Sequence, residues 1–401
     1  MITVLGLPRQ FLEADFTALS RADLVAGHAR HLQVTRHMLT PRASEVVIGD
    51  DPDAVLSRIA AAWHPVVLAS GDPGHFGIVR ALASRFGRDQ LDVRPGVPAV
   101  AAAFAAVGLP WDDARVVTTH GNDPAPVIAL CRRFPKVAVL TGPRLGPAGI
   151  AHRLAGCDRE MIVVEERGDA HPRVTHGTPD EIAAGAWSDA GVVLVVDPEH
   201  AVGAPTGMTP PRATATSWAL DKDAFDGHRR IISAEVRAVI LAWLGPGPGD
   251  LVWDVGAGSG SVAVEAARLG AAAIAIERDH ALCDGVRANA ARHGVPVEVV
   301  HGEAPAALSP LPDPDAVFVG GGGTNVVMAA AERARRVVVA APAAVELVGP
   351  VRRALVDDGW QVDATLLSAA RLTPLATGHR LDAQDPVFLV RARSAATGHP
   401  T

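Results

Sequence analysis

The stretch that decides the fold is LVWDVGAGSGSVAVEAARL, at residues 251–269. A short run rich in β-branched residues, Leu251–Val255, leads directly into a glycine-rich turn at 256–260, and a helical pattern follows at 261–269. Strand, glycine turn and helix in this order place a ligand at a helix N-terminus, where free N–H groups point outward and glycine lets the ligand approach the backbone. Asp254, at the end of the strand, can orient this turn or meet a ligand ammonium group.

The two strands predicted next carry acids at positions that suit a nucleoside. The strand at 273–277 ends in Glu277, which can accept both hydroxyls of a ribose. The strand at 297–301 is followed by Gly302-Glu303-Ala304, where an adenine edge could be read. This set of acids and glycines resembles class I methyltransferases more than dinucleotide enzymes. Dinucleotide enzymes usually show GxGxxG, whereas this chain has GxGxG at 256–260, followed by Ser261 and Val262. Dinucleotide binding and a degenerate fold remain the alternatives.

These positions define the predicted cofactor site of the second half. Its residues are Asp254, Gly256, Ala257, Gly258, Ser259, Gly260, Glu277, Glu303 and Ala304. Gly320 and Gly321 follow a fourth strand at 316–319, and we expect the backbone to approach a substrate closely there. The alternative is an ordinary flexible turn, because four glycines stand in a row at 320–323.

The whole chain alternates short β-branched runs with alanine-rich helical stretches, which is typical of α/β layers. Proline and glycine are dense between Asp197 and Trp218, and this density predicts a linker. We therefore expect a first domain at 1–197, a linker at 198–218, a second domain at 219–393 and a tail at 394–401.

Composition excludes several functional classes. The net charge of -7 argues against general nucleic-acid binding, and no apolar run has the roughly 20 residues that span a bilayer. The three cysteines are widely spaced, which suits a reducing cytoplasm and gives no metal pattern. His28, His31, His37 and His120 fit no standard ligand spacing either, so we predict no metal site.

The first half carries motifs of its own, in the order ITVLGLP (2–8), ASGDPGHFGIVRAL (69–82), PGVPAVAAAFAAVGLPWDDARVVTTHG (95–121) and VLTGPRLGPAGIAHRL (139–154). They resemble the tetrapyrrole methylase family over about residues 1–196, and particularly its branch that methylates precorrins at carbon 5. The resemblance implies S-adenosylmethionine in a cleft between two α/β lobes. By position it implies contacts from Gly71 and Asp72, with Pro98 and Ala99 nearby and His120 lining the cleft.

One departure is visible in that half. The family's first loop is usually G-x-G-P-G, whereas this chain has Gly6-Leu7-Pro8-Arg9-Gln10. His28, Arg30 and His31 lie in a segment that resembles the family's G-x-x-R-H-L, which implies contact with the substrate.

The second half resembles the decarboxylating methyltransferase domain of cobalamin biosynthesis over about residues 231–391. The resemblance rests on 251–269, AIAIERD (273–279), HGEAPAAL (301–308) and DAVFVGGGG (315–323). The upstream IISAEVRAVIL (231–241) is similar to that family's I-T-K-R-E-V-R segment, which touches the cofactor. Ile232 and Ser233 stand where the family has threonine and lysine.

Together the resemblances imply an α/β chain with a two-lobed tetrapyrrole methylase fold followed by a Rossmann-like class I methyltransferase domain. They imply one S-adenosylmethionine per half and methylation of precorrin-6B at ring carbons 5 and 15, with loss of carbon dioxide from the ring C acetate to give precorrin-8X. Alternatives are another small-molecule methyltransferase or a non-catalytic tetrapyrrole-binding protein. The sequence singles out no catalytic acid or nucleophile.

The expected partner is a polycarboxylated tetrapyrrole. Arg237 and Arg371 are candidates for holding its carboxylates, because a guanidinium binds carboxylates bidentately; for each, a structural or merely exposed arginine is the alternative. We also expect a homo-oligomer in the cytoplasm, with no membrane partner.

Overall fold

The computed structural model describes residues 1–7, 11–49, 51–120, 123–142, 144–165, 172–188, 191–202, 218–226 and 231–394. The strands of the first half are β1 (Ile2–Leu7), β2 (Leu24–Gly27), β3 (Ser44–Val47), β4 (Pro65–Ser70), β5 (Leu91–Arg94), β6 (Arg115–Thr118), β7 (Lys136–Leu140), β8 (Glu160–Glu165), β9 (Arg173–Gly177) and β10 (Val192–Val196). Its helices are α1 (Glu13–Arg21), α2 (Ala29–Thr35), α3 (Pro52–Ala61), α4 (Val79–Phe86), α5 (Ala99–Val107), α6 (Ala125–Arg133), α7 (Pro147–Arg153) and α8 (Pro179–Ala183).

The first half forms two lobes, each with a five-stranded sheet. The first sheet is parallel and has the order β3-β2-β4-β1-β5. The second has the order β6-β7-β10-β8-β9, with β10 antiparallel to both of its neighbours. The carboxyl ends of β1, β4 and β5 therefore lie side by side, which is where a parallel sheet places a ligand.

The second half contains the strands β11 (Leu251–Val255), β12 (Ala272–Glu277), β13 (Glu298–His301), β14 (Ala316–Val319), β15 (Val337–Ala340), β16 (Gln361–Leu367), β17 (Ala370–Leu375), β18 (Gly378–Ala383) and β19 (Val387–Arg393). Its helices are α9 (Ala234–Leu244), α10 (Ser261–Arg268), α11 (His280–Arg292), α12 (Gly323–Ala331) and α13 (Val345–Asp357). The main sheet has the order β13-β12-β11-β14-β15-β19-β16, and β17 and β18 form a separate hairpin.

The core of the second half lies on both faces of this sheet. All five residues of β11 are buried. Trp253 and Val255 contact the cluster that includes α12 and α13, while Val252 contacts the cluster that includes α9. A parallel strand that is covered on both faces is apolar along nearly its whole length, which explains the largely apolar sequence at 251–255.

The α/β class and both component folds predicted from the sequence are confirmed. Two details differ. The sequence predicts that the segments at 361–367 and 386–392 form an antiparallel closing hairpin. The corresponding strands β16 and β19 do pair antiparallel, but they are not a simple hairpin, because β17 and β18 lie between them. In the first half, the sequence predicts strands at 2–5, 46–48, 66–69, 116–119, 137–140, 161–165 and 192–196, and β2, β5 and β9 are additional to these. The domain boundaries stay a prediction, since most of the linker and the tail lie outside the described residues.

Helix α6 joins the two halves. Arg132 pairs with Glu298 at the start of β13, and Arg133 Nε donates to Ala267 O over 2.9 Å. Arg335, just before β15, pairs with Asp123 at 3.0 Å. These contacts lie near the amino ends of the strands, so the carboxyl ends of the second sheet are not covered by α6. Among the described helices, none has the length and apolar character needed to cross a membrane.

Candidate functional sites

The turn after β11 is built on glycines with positive φ. Gly256, Gly258 and Gly260 have φ values of 74°, 59° and 72°, a left-handed conformation that costs other residues about 1–2 kcal/mol. A Cβ on Gly260 would lie 2.6 Å from Val286 Cγ1, so α10 packs closely on α11 there. Gly256 N and Ala257 N both donate to Ile276 O, at 2.9 and 3.1 Å, and hold the turn against β12.

Asp254 lies beneath this turn and is only 1% exposed. Its Oδ2 accepts a hydrogen bond from Ala263 N at 3.0 Å, in the first turn of α10. Its Oδ1 is buried and has no hydrogen-bond partner within the part of the chain described. Burial raises the pKa of Asp254 to about 7, against the lowering effect of the Ala263 N–H, and the charge of Glu277 adds to the rise. The carboxyl therefore orients the turn and keeps one unused acceptor.

Glu277 ends β12 and faces the same turn. Its Oε2 accepts from Gly258 N at 2.8 Å, and its Oε1 accepts from Arg278 N and Asp279 N at 2.9 and 3.0 Å. The carboxylate is fixed by three backbone donors. Because each of its oxygens has two lone pairs, one lone pair remains, on Oε2, for a ligand hydroxyl. At 5% exposed it lies at the floor of the site.

The other predicted residues of this half line the same end of the sheet. Ser259 is nearly buried, and its Oγ has no partner among the described residues. Gly320 N donates to Val255 O at 2.8 Å, and a Cβ on Gly320 would lie 3.1 Å from Gly256 O. The turn that contains Gly320 and Gly321 thus packs on the glycine turn. Glu303 is exposed and pairs with Arg278 at 3.3 Å, with Ala304 beside it.

In the first half, three glycines meet at the carboxyl ends of β1, β4 and β5. Gly96 N donates to Gly71 O at 3.0 Å. A Cβ on Gly6 would lie 1.9 Å from Gly71 O and 2.4 Å from Gly96 N, so this approach tolerates no side chain. Gly71 has a φ of 57°.

The structure brings Gly71, Pro98 and Ala99 together as predicted from the sequence. A Cβ on Gly71 would lie 3.2 Å from Pro98 Cα and 3.3 Å from Ala99 N, and Pro98 caps α5. Asp72 Oδ1 accepts from Gly74 N at 2.8 Å and holds the next turn. His120 lies apart on the second lobe, bonded through Nδ1 to Thr118 Oγ1 at 2.6 Å and close to Gly142. Pro8, Arg9, Gln10 and Gly121 lie outside the described residues.

Three polar side chains, those of Arg30, His31 and Ser70, lie together beside Gly71. Ser70 Oγ accepts from an Arg30 guanidinium nitrogen at 2.9 Å and lies 3.2 Å from His31 Nε2. Burial lowers the pKa of His31 to about 4, and Arg30 and His28 add to this shift. His31 is therefore neutral at neutral pH, and the Ser70 hydroxyl is free to donate to its Nε2.

Comparisons with known proteins show the family to which the chain belongs. A model of the precorrin methyltransferase domain matches residues 223–389, and a model of the tetrapyrrole (corrin/porphyrin) methylases matches 6–183. A Sinorhizobium sp protein named precorrin-6Y C(5,15)-methyltransferase [decarboxylating] is 33% identical over 310 residues, 76% of this chain and 73% of that protein. A Mycobacterium tuberculosis protein of the same name is 34% identical over 337 residues, 80% of each chain.

The chain belongs to the precorrin-6Y C(5,15)-methyltransferase (decarboxylating) family. A solved structure described as precorrin-6Y C5,15-methyltransferase from Geobacter metallireducens GS-15 is 29% identical to this chain. It covers 44% of this chain and 97% of its own, with a TM-score of 0.42.

One predicted substrate contact of this family member is wrong. Arg237 is 0% exposed, and its guanidinium binds Glu265 Oε1 at 2.5 Å together with the carbonyl oxygens of Ile232 and Leu220. Arg237 is fully committed to the interior because burying its charge requires such partners, so it is not available to a substrate carboxylate.

Arg371 remains a candidate. It is half exposed on β17 and pairs with Glu235 at 2.7 Å and with Asp221 at 3.5 Å. Ser233 stands where the family has lysine, and its Oγ caps α9 by accepting a hydrogen bond from Val236 N at 3.4 Å.

Sequence reasoning noted Gly6 only as part of an altered loop and missed Asn289, which is buried against the glycine turn. Gly6 carried a usable signal, since it lies next to the last residue of a buried strand; Asn289 carried none.

Proposed function

We propose that this chain methylates a corrin precursor twice, at carbon 5 in the first half and at carbon 15 in the second. The second reaction is accompanied by decarboxylation of the ring C acetate, which converts precorrin-6B to precorrin-8X. The observation that carries the proposal is the pair of glycine-lined sites in one chain. One is formed by Gly6, Gly71 and Gly96, and the other by the 256–260 turn with Glu277 beneath it.

In the second half, the turn at 256–260 would hold the methyl donor. The three glycines supply the positive φ values that this turn requires. Asp254 Oδ1 and Ser259 Oγ offer buried polar atoms without partners among the described residues. Glu277 would accept a hydrogen bond from a ribose hydroxyl with its one remaining lone pair, on Oε2. These features fit a cationic nucleoside such as S-adenosylmethionine.

In the first half, Gly71, Asp72, Pro98 and Ala99 would hold a second S-adenosylmethionine, with His120 on the facing lobe. Gly6, Gly71 and Gly96 let the chain segments at the ends of β1, β4 and β5 approach one another closely. This brings Gly71 beside Pro98 and Ala99 at the carboxyl edge of a parallel sheet, where ligands bind. The proposed stoichiometry is therefore one donor molecule in each half.

The chemistry needs little from catalytic side chains. S-adenosylmethionine supplies an electrophilic methyl group, and a reduced tetrapyrrole supplies electron-rich ring carbons. The protein aligns the carbon with the methyl group and excludes water, which supplies a large share of the rate enhancement in such transfers. Arg30 and Arg371 are exposed, and we assign their guanidinium groups to the substrate's carboxylates.

We further propose that the enzyme acts as a cytoplasmic homo-oligomer. Leu372 and Leu381 lie directly opposite each other on the β17–β18 hairpin and are 67% and 70% exposed. An exposed apolar pair on a projecting hairpin supports association with a second copy.

The test is mass spectrometry of the product after incubation of the full chain with precorrin-6B and S-adenosylmethionine. We expect a product with two added methyl groups and one carbon dioxide fewer. A ring that is only reduced, oxidised or left unchanged would overturn the proposal. Methylation of oxygen or nitrogen on another small molecule would favour the alternative methyltransferase, and tetrapyrrole binding without turnover would favour a binding protein.

A further inference from the structure

Asn289 on α11 connects two separate segments around the second site. Its side chain is fully buried. Its Oδ1 accepts from Asp226 N at 2.8 Å, and its Nδ2 donates to Asp226 O at 3.2 Å and to Ser259 O at 2.9 Å. The amide thus uses both of its N–H groups, one on the glycine turn and one on residues 218–226, here called the strap.

The strap is anchored on the helices behind the glycine turn. Glu265 on α10 accepts from Ala219 N and Leu220 N, at 2.5 and 3.0 Å. Phe225 is fully buried, with the Arg237 guanidinium 4.9 Å above its ring. His293 Nε2 lies 2.8 Å from Ala224 O. The strap is therefore a fixed part of the second half and contacts α9, α10 and α11.

These contacts hold the glycine turn from two sides. Glu277 accepts from Gly258 N on the side of β12, and Asn289 donates to the next residue's carbonyl, Ser259 O, on the side of α11. Glycines give a turn wide conformational freedom, so a turn left unrestrained must be ordered when a ligand binds. Restraint at both residues keeps the turn in its binding conformation before the ligand arrives.

We propose that Asn289 is a positioning residue of the second cofactor site and that it couples the docked strap to the glycine turn. Asn289 does not itself contact the reacting atoms; it acts through Ser259. The inference rests on the proposed function, because the ligand whose binding it controls is S-adenosylmethionine. It assigns the strap, which precedes α9 in the chain, to the machinery of the carbon-15 reaction.

The test uses the full chain with Asn289→Leu, whose side chain has the same number of heavy atoms and the same branching but no hydrogen-bonding groups. We expect the dissociation constant for S-adenosylhomocysteine at the second site, measured by calorimetry, to rise about tenfold or more, since buried partners of Asp226 and Ser259 are lost. The KM for S-adenosylmethionine in carbon-15 methylation should rise in step, with kcat at saturation nearly unchanged. Hydrogen exchange should quicken in the strap.

Two controls separate positioning from general damage. Carbon-5 methylation by the same molecules reports the first half and should keep its KM and kcat. Arg287→Ala removes a surface residue of α11 that pairs only with Asp284 in the described structure, and it should leave both reactions unchanged. If the leucine variant does not fold, Asn289→Ser is expected to give the same rise in the dissociation constant.

Unchanged affinity at the second site in a folded variant would overturn the inference, as would a fall in kcat with KM unchanged. A wild-type chain that binds no S-adenosylhomocysteine in its second half would instead overturn the proposed function. The two failures are therefore distinguishable by the behaviour of the wild-type protein.

Discussion

Gly258 donates its backbone N–H to Glu277 Oε2 over 2.8 Å, and this bond joins the glycine turn after β11 to the acid that ends β12. Two further N–H groups, of Arg278 and Asp279, fix the other oxygen of the same carboxylate. The acid is therefore oriented before any ligand binds, and a ribose meets a preformed acceptor.

Replacing Glu277 with glutamine should weaken S-adenosylmethionine binding in the second half. An amide NH₂ would face backbone N–H donors where the carboxylate now accepts, and a lost partner of this kind costs about 1–3 kcal/mol, or roughly 10- to 100-fold in affinity. Calorimetry on the full chain measures the change, and Glu346→Gln, on the exposed start of α13, is the matched control. Equal affinity in the two variants would show that Glu277 does not bind the ligand.

Gly260→Ala should destabilise the second domain. The residue has a φ of 72°, which costs alanine about 1–2 kcal/mol, and the added Cβ would lie 2.6 Å from Val286 Cγ1. The control is Gly285→Ala within α11, where no atom lies within 4 Å; it should stabilise by up to about 1 kcal/mol. Chemical denaturation measures both changes. The account of the turn is wrong if the two variants shift stability in the same direction.

Gly6→Ala should abolish most carbon-5 methylation and leave carbon-15 methylation intact. The new Cβ would lie 1.9 Å from Gly71 O, so the ends of β1 and β4 must separate and the cleft must deform. We expect a loss of at least about tenfold, which corresponds to 1.4 kcal/mol. Gly49→Ala, which adds a Cβ in open space in the same lobe, should be neutral. Loss of both methylations together would argue against separate sites.

Ligand affinity in the second half should depend on pH through Asp254. Its pKa is raised to about 7, chiefly by burial, and a cationic sulfonium favours the ionised carboxylate. Affinity for S-adenosylmethionine should therefore rise as the pH increases from about 6 to 8, and this rise should vanish in Asp254→Asn. A wild-type affinity that is flat over that range contradicts the assignment.

The same pKa sets the direction of a stability effect. Between the ordinary carboxyl pKa of 3.8 and the folded value of about 7, the folded state binds more protons than the unfolded state, so the contribution of Asp254 to stability falls as pH rises. It is fully present below the unfolded pKa and is lost as pH passes the folded pKa. Denaturation of wild type and Asp254→Asn at several pH values isolates this contribution.

The sequence predicted the strand, glycine turn and helix around residues 254–260 and the strand end at Glu277, because these elements follow local rules. Strand ends and glycines fix positions 254–260 and 277 almost independently of the rest of the fold. The hairpin β17–β18 was missed because its strands are exposed and Pro374 lies within one of them, a feature that argues against a strand.

The fate of Arg237 and Asn289 could not be predicted from local pattern. Arg237 pairs with Glu265 on another helix, and Asn289 bonds to Asp226 and Ser259, which are distant in sequence. Such contacts depend on how α9, α10 and α11 pack together. From the sequence alone, a charged or amide residue in a helix is predicted to be exposed, and only the packing of the helices shows that it is buried.

The central claim is that one chain methylates two different ring carbons. Its most direct test is nuclear magnetic resonance of the product formed by the full chain from precorrin-6B and S-adenosylmethionine labelled with ¹³C in its methyl group. We predict label at carbons 5 and 15, with the carbon-5 signal alone lost in Gly6→Ala. Label at a single ring carbon in the wild-type product, or at oxygen or nitrogen, would contradict the account.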